Sequence, residues 1–356
     1  MSNKKDTVID FKGQHFYIGL DVHKKSWSVN IRNNGLRLKA FSMNPSPEKL
    51  KRFLEENYPG GTWHAVYEVG FCGFWICRKL REMGIDCIVV NPADVPTGHK
   101  EKDRKTDPVD ANKLARELEK GELKCIYIPD EADQHLRSLC RLYRCAVQDT
   151  TRIKNRIKGH LYFNGVELPR HTSQWSGKFI AYLKSLPLDK GPAKECLTIS
   201  IEELEQRRQT SVHILKKLRE YVREHRDSST FQNLLTVPGV GLKTALVLYT
   251  EIIDMGRFPT LDHVKSFVGL VPSTDSSGDS ARERGLTYRS NKHLKHVLIE
   301  AAWVAIRHDP VLLHKYHKLI VRMRSQNAII KIAVILLGRI RHVWNNNCTY
   351  VKGVIQ

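Results

Sequence analysis

No stretch of the 356-residue chain is apolar for long enough to cross a membrane. The longest apolar run, Ala328 to Leu337, is interrupted by Lys331 and reaches about half of the ~20 residues that a span requires. The opening Met-Ser-Asn-Lys-Lys-Asp lacks the apolar core of a secretory signal, so a cytoplasmic protein without a membrane partner is expected. The eight cysteines (Cys72, Cys77, Cys87, Cys125, Cys140, Cys145, Cys196 and Cys348) include no Cys-x-x-Cys pair. A structural zinc site therefore has no support, and buried, reduced thiols are the better reading. Internal repeats and low-complexity segments are absent too. Negative charge is scarce: 38 Asp+Glu stand against 58 Lys+Arg, a formal charge of +20. Spread along the chain rather than gathered in a tail, that excess favours a polyanionic partner, nucleic acid first.

What is present is a globular composition, with 41% hydrophobic and 27% charged residues. It excludes a disordered, fibrous or disulfide-stapled chain. The length suits two or three domains, at roughly 100–200 residues each. The first 130 residues read as a mixed α/β sheet. Strands are expected over Phe16–Asp21, Trp27–Ile31 (half-buried, by its alternation), Leu36–Phe41, Trp63–Glu68 and Asp86–Val90. Helices are expected from Ser46 or Pro47, over Trp75–Met83 and over Pro108–Leu118. From 131 to 228 two long amphipathic stretches follow. Leu136, Leu139, Tyr143, Val147, Ile153, Ile157 and Leu161 mark the first; Ile201, Leu204, Val212, Leu215, Leu218 and Val222 mark the second. Joined through 164–195, they suggest a basic coiled-coil arm or a pair of bundle helices. The last part, 229–356, is mainly helical, with an irregular stretch over Pro272–Ser290.

Chemistry concentrates in a few places. Asp21 and Glu68 end two strands, while Asp107 and Asp110 lie three apart at the start of a helix and share a face. Four acids so placed suit hard divalent cations, which can clamp the attacking and leaving oxygens of a phosphodiester. The plainer reading of Asp107 and Asp110 is that acids favour a helix N-terminus. Asp21, flanked by apolar strand residues, needs a partner or a metal; His23 reads as a supporting or surface residue. The segment Leu234–Ala245, with Pro238-Gly239-Val240-Gly241 at its centre, is similar to a helix–hairpin–helix, whose turn lets backbone amides approach a phosphate. An ordinary Gly-rich helix connection would also fit. The serines around 273–280 have no accompanying Gly-x-Ser-x-Gly elbow, so ordinary ester hydrolysis is unsupported.

Taken in order, several motifs resemble the DEDD transposases of the bacterial insertion sequence one-ten family, the bridge-RNA-guided recombinases. They are Gly19-Leu20-Asp21-Val22-His23-Lys24, Tyr67-Glu68, Lys105-Thr106-Asp107-Pro108-Val109-Asp110-Ala111, Pro238-Gly239-Val240-Gly241, and Gly269-Leu270-Val271-Pro272 with Ser276-Ser277-Gly278. The resemblance runs from about residue 16 to about residue 340. It implies a RuvC-like ribonuclease H domain (1–130), a coiled-coil arm and linker (131–228) and a transposase domain (229–356). On matching positions it makes Asp21, Glu68, Asp107 and Asp110 the ligands of Mg²⁺ or Mn²⁺, and Ser277 the nucleophile, with Ser276 beside it. Phosphate contacts are expected from Gly239, Gly241, Lys243, Arg282, Arg284, Arg289, Lys154 and Lys158. The implied partners are donor and target double-stranded DNA, a structured non-coding guide RNA, and further copies of the chain, dimers assembling to a tetramer on the nucleoid. Two other readings compete: a metal-only nuclease of the Holliday-junction-resolving kind, and a non-catalytic binding protein on a decayed fold.

Overall fold

Phe16, Ile18 and Leu20 share one side of the first strand, Gly19 and Asp21 the other, as the two-residue period of a pleated strand requires. In the computed structural model, which describes residues 10–96, 106–169, 174–188, 191–224, 228–277, 280–287 and 290–353, that strand begins the first of two units. The units are Met1–Ile128 and Pro129–Gln356. The side chains of 228 and 273–284 fall outside the description.

The first unit is built on a mixed sheet of β1 (His15–Val22), β2 (Trp27–Asn33), β3 (Leu36–Met43), β4 (Thr62–Glu68) and β5 (Asp86–Val90), in the order β3-β2-β1-β4-β5. β1, β2 and β3 form an antiparallel meander, and β4 and β5 run parallel to β1. Asn34 and Gly35, both at positive φ, close the β2–β3 hairpin in the way its right-handed twist favours. Helices α1 (Pro47–Asn57) and α2 (Trp75–Glu82) cover one face. Leu50, Leu54, Ile76 and Leu80 pack there on Phe16, Ile18, Leu20, Val29 and Ile31, all of them buried. Ser46 caps α1 by accepting from the Lys49 amide. Helix α3 (Asp107–Glu119) contributes Leu114 to the opposite face, beside Val66 and Val90.

The half-buried reading of β2 is corrected here. Ser28 and Asn30, the polar members of its alternation, are themselves buried. They lie opposite Asp21 and Gly19 in the β1–β2 register, on the face that α3 covers. A period-two pattern reports a difference between two faces, and a small-residue helix can cover the polar one.

The second unit opens with α4 (Glu131–Phe163) and α6 (Pro192–Glu224), which pack antiparallel, with α5 (Gly177–Ser185) in the segment between them. The end of α4 (Ile153, Ile157, Leu161), α5 (Phe179, Ile180, Leu183) and the start of α6 (Leu197, Ile201, Leu204) bury one apolar cluster of their own. The other ends of the pair belong to a different core. Leu136, Cys140, Ile214 and Leu218 pack with α8 (Leu242–Ile252), α10 (Lys292–His308) and α12 (Ser325–Asn345). Val147 and Val212, part of the apolar series in the sequence, are exposed, while Ala146 and Ile214 are buried in their place. A straight helix drifts against a seven-residue repeat, so the buried stripe changes phase along a helix this long.

Between these lie α7 (Ser228–Leu235), α9 (Leu261–Val268) and α11 (Pro310–Ile320). The stretch over Pro272–Ser290, expected to be irregular, instead holds an antiparallel hairpin of β6 (Pro272–Ser277) and β7 (Ser280–Leu286). The expectation of buried thiols also needs correction: Cys77, Cys87 and Cys140 are buried, but Cys125, Cys145 and Cys196 are exposed. No helix of the described residues is long and apolar enough to span a membrane.

Candidate active site

Gly19 fixes how the acidic cluster is assembled. A Cβ at that position would come within 2.0 Å of the Ala111 carbonyl oxygen and 2.6 Å of the Ala115 amide nitrogen. Backbone therefore lies on backbone where α3 crosses β1. Asp21 sits two residues further along the same face of β1, and Gly19 pairs with Val66 in the β1–β4 register, two residues before Glu68. The crossing helix starts at the same end, with Thr106 at its N-cap in extended geometry, Pro108 in the first turn, and Asp107 and Asp110 as first-turn acids.

His23 Nε2 lies 3.2 Å from Asp21 Oδ2 and 3.5 Å from Asp107 Oδ2. One ligand atom from each of Asp21, His23 and Asp107 falls within 4.8 Å of the others, a group able to hold a metal ion. Glu68 and Asp110 converge on Lys113, whose Nζ is 3.3 Å from Asp110 Oδ1 and 4.0 Å from Glu68 Oε1. Burial, above all, lifts the Asp21 carboxyl above the ordinary carboxylate range. His23 draws it back down, and the negative charges of Asp107 and Asp110 add to the rise. A partly buried carboxylate with further acids beside it is an arrangement that a divalent cation relieves, and the donor set fits one.

The sequence points to all four acids, and in the folded chain two neighbours, His23 and Lys113, join them. His23, expected as a supporting or surface residue, lies beside Asp21 because i and i+2 of an extended segment point the same way. Lys113 follows Asp110 by three residues on a helix, which puts the two side chains on one face.

In the second unit, Pro238–Gly241 joins α7 to α8, and the two glycines do different work. Gly239 has φ +83°, and a Cβ there would lie 2.1 Å from the Ala301 carbonyl oxygen of α10, so packing demands glycine. Gly241 is the N-cap of α8 with nothing within 4 Å of its missing Cβ, and Lys243 is exposed in the first turn beyond it. That open helix start is the part of the turn that a phosphate could approach.

Of the basic residues that the sequence assigned to the arm, several are already engaged. Arg141 makes two hydrogen bonds to the buried Glu251 carboxylate, at 2.7 and 2.8 Å. Arg137 donates to the Thr250 carbonyl, and Arg156 to Glu203. Asn291 Nδ2 completes the Glu251 site at 3.0 Å, tying α4, α8 and the N-cap of α10 together. Lys154 sits over the Trp175 ring; partial burial, with Arg208 and Lys158 nearby, lowers its ammonium below the usual lysine range. Lys158 is half-buried one turn further on.

Ser276 and Ser277 end β6, with Ser277 paired to Ser280 across the hairpin. Their side chains, those of Arg282 and Arg284, and Gly278, Asp279, Lys105 and Arg289 altogether, lie outside the described residues.

Comparison with known proteins joins the two units. A DEDD transposase family model of the IS110 type matches residues 18–164, and one described as the transposase IS116/IS110/IS902 family matches residues 231–318. A putative transposase, y4qE, of Sinorhizobium fredii is 30% identical over 67% of this chain and 57% of its own length. The transposase for insertion sequence element IS1111A of Coxiella burnetii is 26% identical over 65% of this chain and 62% of its own. That for IS1328 of Yersinia enterocolitica is 24% identical over 81% of this chain and 83% of its own. The chain thus spans less than two thirds of the Sinorhizobium and Coxiella relatives. With the acid-bearing unit and the hairpin-bearing unit matched in one order along one chain, it belongs to the IS110/IS116/IS902 family of transposases.

Proposed function

We propose that the protein is an RNA-guided DNA recombinase that moves an insertion sequence through a covalent serine intermediate. The observation that carries this reading is the gathering of Asp21, Asp107, Glu68 and Asp110 at one end of β1, β4 and α3. The sheet order β3-β2-β1-β4-β5, an antiparallel meander extended by two parallel strands, supports the RuvC-like form of the ribonuclease H fold that the family resemblance implies. The four acids would hold Mg²⁺ or Mn²⁺, which when bound supplies Lewis-acid polarisation of the scissile phosphate.

Ser277 is the proposed nucleophile. A serine hydroxyl is weakly nucleophilic at neutral pH and needs activation. Its Oγ forms a bond to phosphorus as the bond to the departing deoxyribose oxygen breaks. The serine proton passes to that oxygen through solvent or an acid of the cluster. The phosphoserine diester conserves the bond energy, so a strand hydroxyl can attack it, release Ser277 and rejoin DNA without ATP. In this reading three parts act: residues 1–130 hold the metal, 131–228 form the arm, and 229–356 carry the serine. Acids and serine meet between copies of the chain, dimers pairing to a tetramer around donor and target DNA. Base pairing with a structured guide RNA chooses the sequences while the protein grips backbones. Gly241, Lys243, Lys154 and Lys158 suit that grip, together with Arg282, Arg284 and Arg289.

The deciding experiment incubates the protein with guide RNA, donor and target DNA in Mg²⁺ and runs a denaturing gel. DNA should migrate with the wild-type protein. Ser277→Ala should lose adduct and recombination together, whereas Ser276→Ala should be milder. Adduct lost only in Ser276→Ala moves the nucleophile by one position. No adduct in wild type, with nicking intact in Ser277→Ala, would make the chain a metal-only nuclease instead.

A further inference from the structure

Lys113 is 7% exposed, although it carries a charge. Lysine is almost never buried unless paired, and here the pairing is with two members of the acid cluster. The ammonium is 3.3 Å from Asp110 and 4.0 Å from Glu68. It is held there from both directions: Lys113 lies one turn after Asp110 on α3, and α3 is pinned to β1 by backbone contact at Gly19. The cluster is thereby sorted into unlike halves. On one side the ligand atoms of Asp21, His23 and Asp107 converge within 4.8 Å. On the other, an ammonium already sits between two carboxylates.

We infer that Lys113 takes the electrostatic place of a second metal ion, so that the site binds one divalent cation, on the Asp21–His23–Asp107 side. This rests on the metal-binding role proposed above for the four acids. Paired catalytic metals lie about 3.5–4 Å apart and share carboxylate ligands. A second ion drawn to Glu68 and Asp110 would have to settle beside a buried ammonium that hydrogen-bonds Asp110 and lies 4.0 Å from Glu68. Like charges at such separations repel strongly in a partly desolvated site. Four carboxylates and one lysine sum to −3, which one divalent ion brings to −1 and two would bring to +1. His23 adds a nitrogen donor to the occupied half, favouring Mn²⁺ over Mg²⁺ there.

The test counts ions rather than turnover. Full-length protein is titrated with Mn²⁺, and free Mn²⁺ is read by electron paramagnetic resonance. Wild type should bind one Mn²⁺ per chain, weakened at least ten-fold by Asp21→Asn. Lys113→Met keeps the side chain's length and removes its charge; it should bind two, and Glu68→Gln in that background should return the count to one. Lys113→Arg, which retains the charge, should stay at one. Circular dichroism melts confirm that each variant is folded, and Lys113→Gln replaces Lys113→Met if the latter is not. Two ions per wild-type chain, or a folded uncharged variant that still binds one, would overturn the inference. Failure of the metal-binding role itself looks different: wild type retains no Mn²⁺, or Asp21→Asn binds it as well as wild type.

Discussion

At Gly239 a methyl group would collide with the carbonyl of Ala301; at Gly241, two residues on, it would meet nothing. Gly239→Ala should therefore destabilise by about 2–4 kcal/mol, adding left-handed backbone strain to overpacking. Gly241→Ala should cost only about 1 kcal/mol, the N-cap preference for glycine over alanine, with no clash added. Urea melts of both variants test the contrast. The sequence presented the two as one motif, because what separates them is a helix that begins only at Lys292, about 50 residues later in the chain. His293 gives a second residue-scale test. Burial, with Arg144, His296 and Arg141 nearby and Glu251 opposing them, lowers its imidazole to about 4. The unfolded chain takes up this proton near pH 6.5, the folded one only near 4. Stability attributable to His293 is thus complete above about pH 6.5 and lost as pH falls towards 4. The melting temperature should drop between pH 7.5 and 5, and His293→Gln should flatten that drop. Among the acids, type and spacing were enough to nominate all four. Lys113 has no signature in the sequence, because a lysine three residues from an aspartate is usually a solvated pair, and only burial distinguishes this one.

Elements were legible where periodicity was long or apolar. α4 and α6 announce themselves by repeated three- and four-residue spacing, and β1, β4 and β5 by apolar runs. The β6–β7 hairpin did not, since Ser, Thr, Asp and Arg have no apolar alternation and several are poor strand formers. Nor did α5, a short helix in a segment rich in Pro and Gly, whose place is settled by burying Phe179 and Leu183 against the arm. Because that cluster is separate from the one containing α10 and α12, damage to it should remain local. Phe179→Ala removes a fully buried ring and should cost about 3–5 kcal/mol. Amides of α5 should lose hydrogen-exchange protection while those of α10 and α12 keep theirs. Equal loss in both regions would mean that the two clusters unfold as one.

For the molecule as a whole, composition points to a polyanionic partner, and pairing within the folded chain narrows which charges would be available to it. Arg137, Arg141 and Arg156 are occupied within the arm's surroundings, so fewer than the 58 Lys+Arg of the sequence are available to meet a phosphate. Binding to duplex DNA should still weaken with salt, with a log–log slope of about −0.9 per phosphate contacted. Lys243→Ala should lower that slope by about one contact, and Arg156→Ala should leave it unchanged; fluorescence anisotropy across a salt series distinguishes them. The division into Met1–Ile128 and Pro129–Gln356 was half visible, in the change from alternating elements to long helices near Pro129. That the arm's base shares a core with the C-terminal helices was not visible, because nothing in a helix's own period says which partner its stripe will meet.

The crossing at Gly19 has one more consequence, for how this chain tolerates mutation over time. Side chains between two elements act as spacers, and a core that exchanges leucine for valine shifts its layers by fractions of an ångström. Between β1 and α3 there is no spacer: peptide atoms of Gly19 rest on those of Ala111 and Ala115. The gap between the strand carrying Asp21 and the helix carrying Asp107 and Asp110 is therefore set by atomic radii that no substitution elsewhere alters. Homologues could replace most of the surrounding hydrophobic residues and still keep the carboxylates of Asp21, Asp107 and Asp110 at the same spacing.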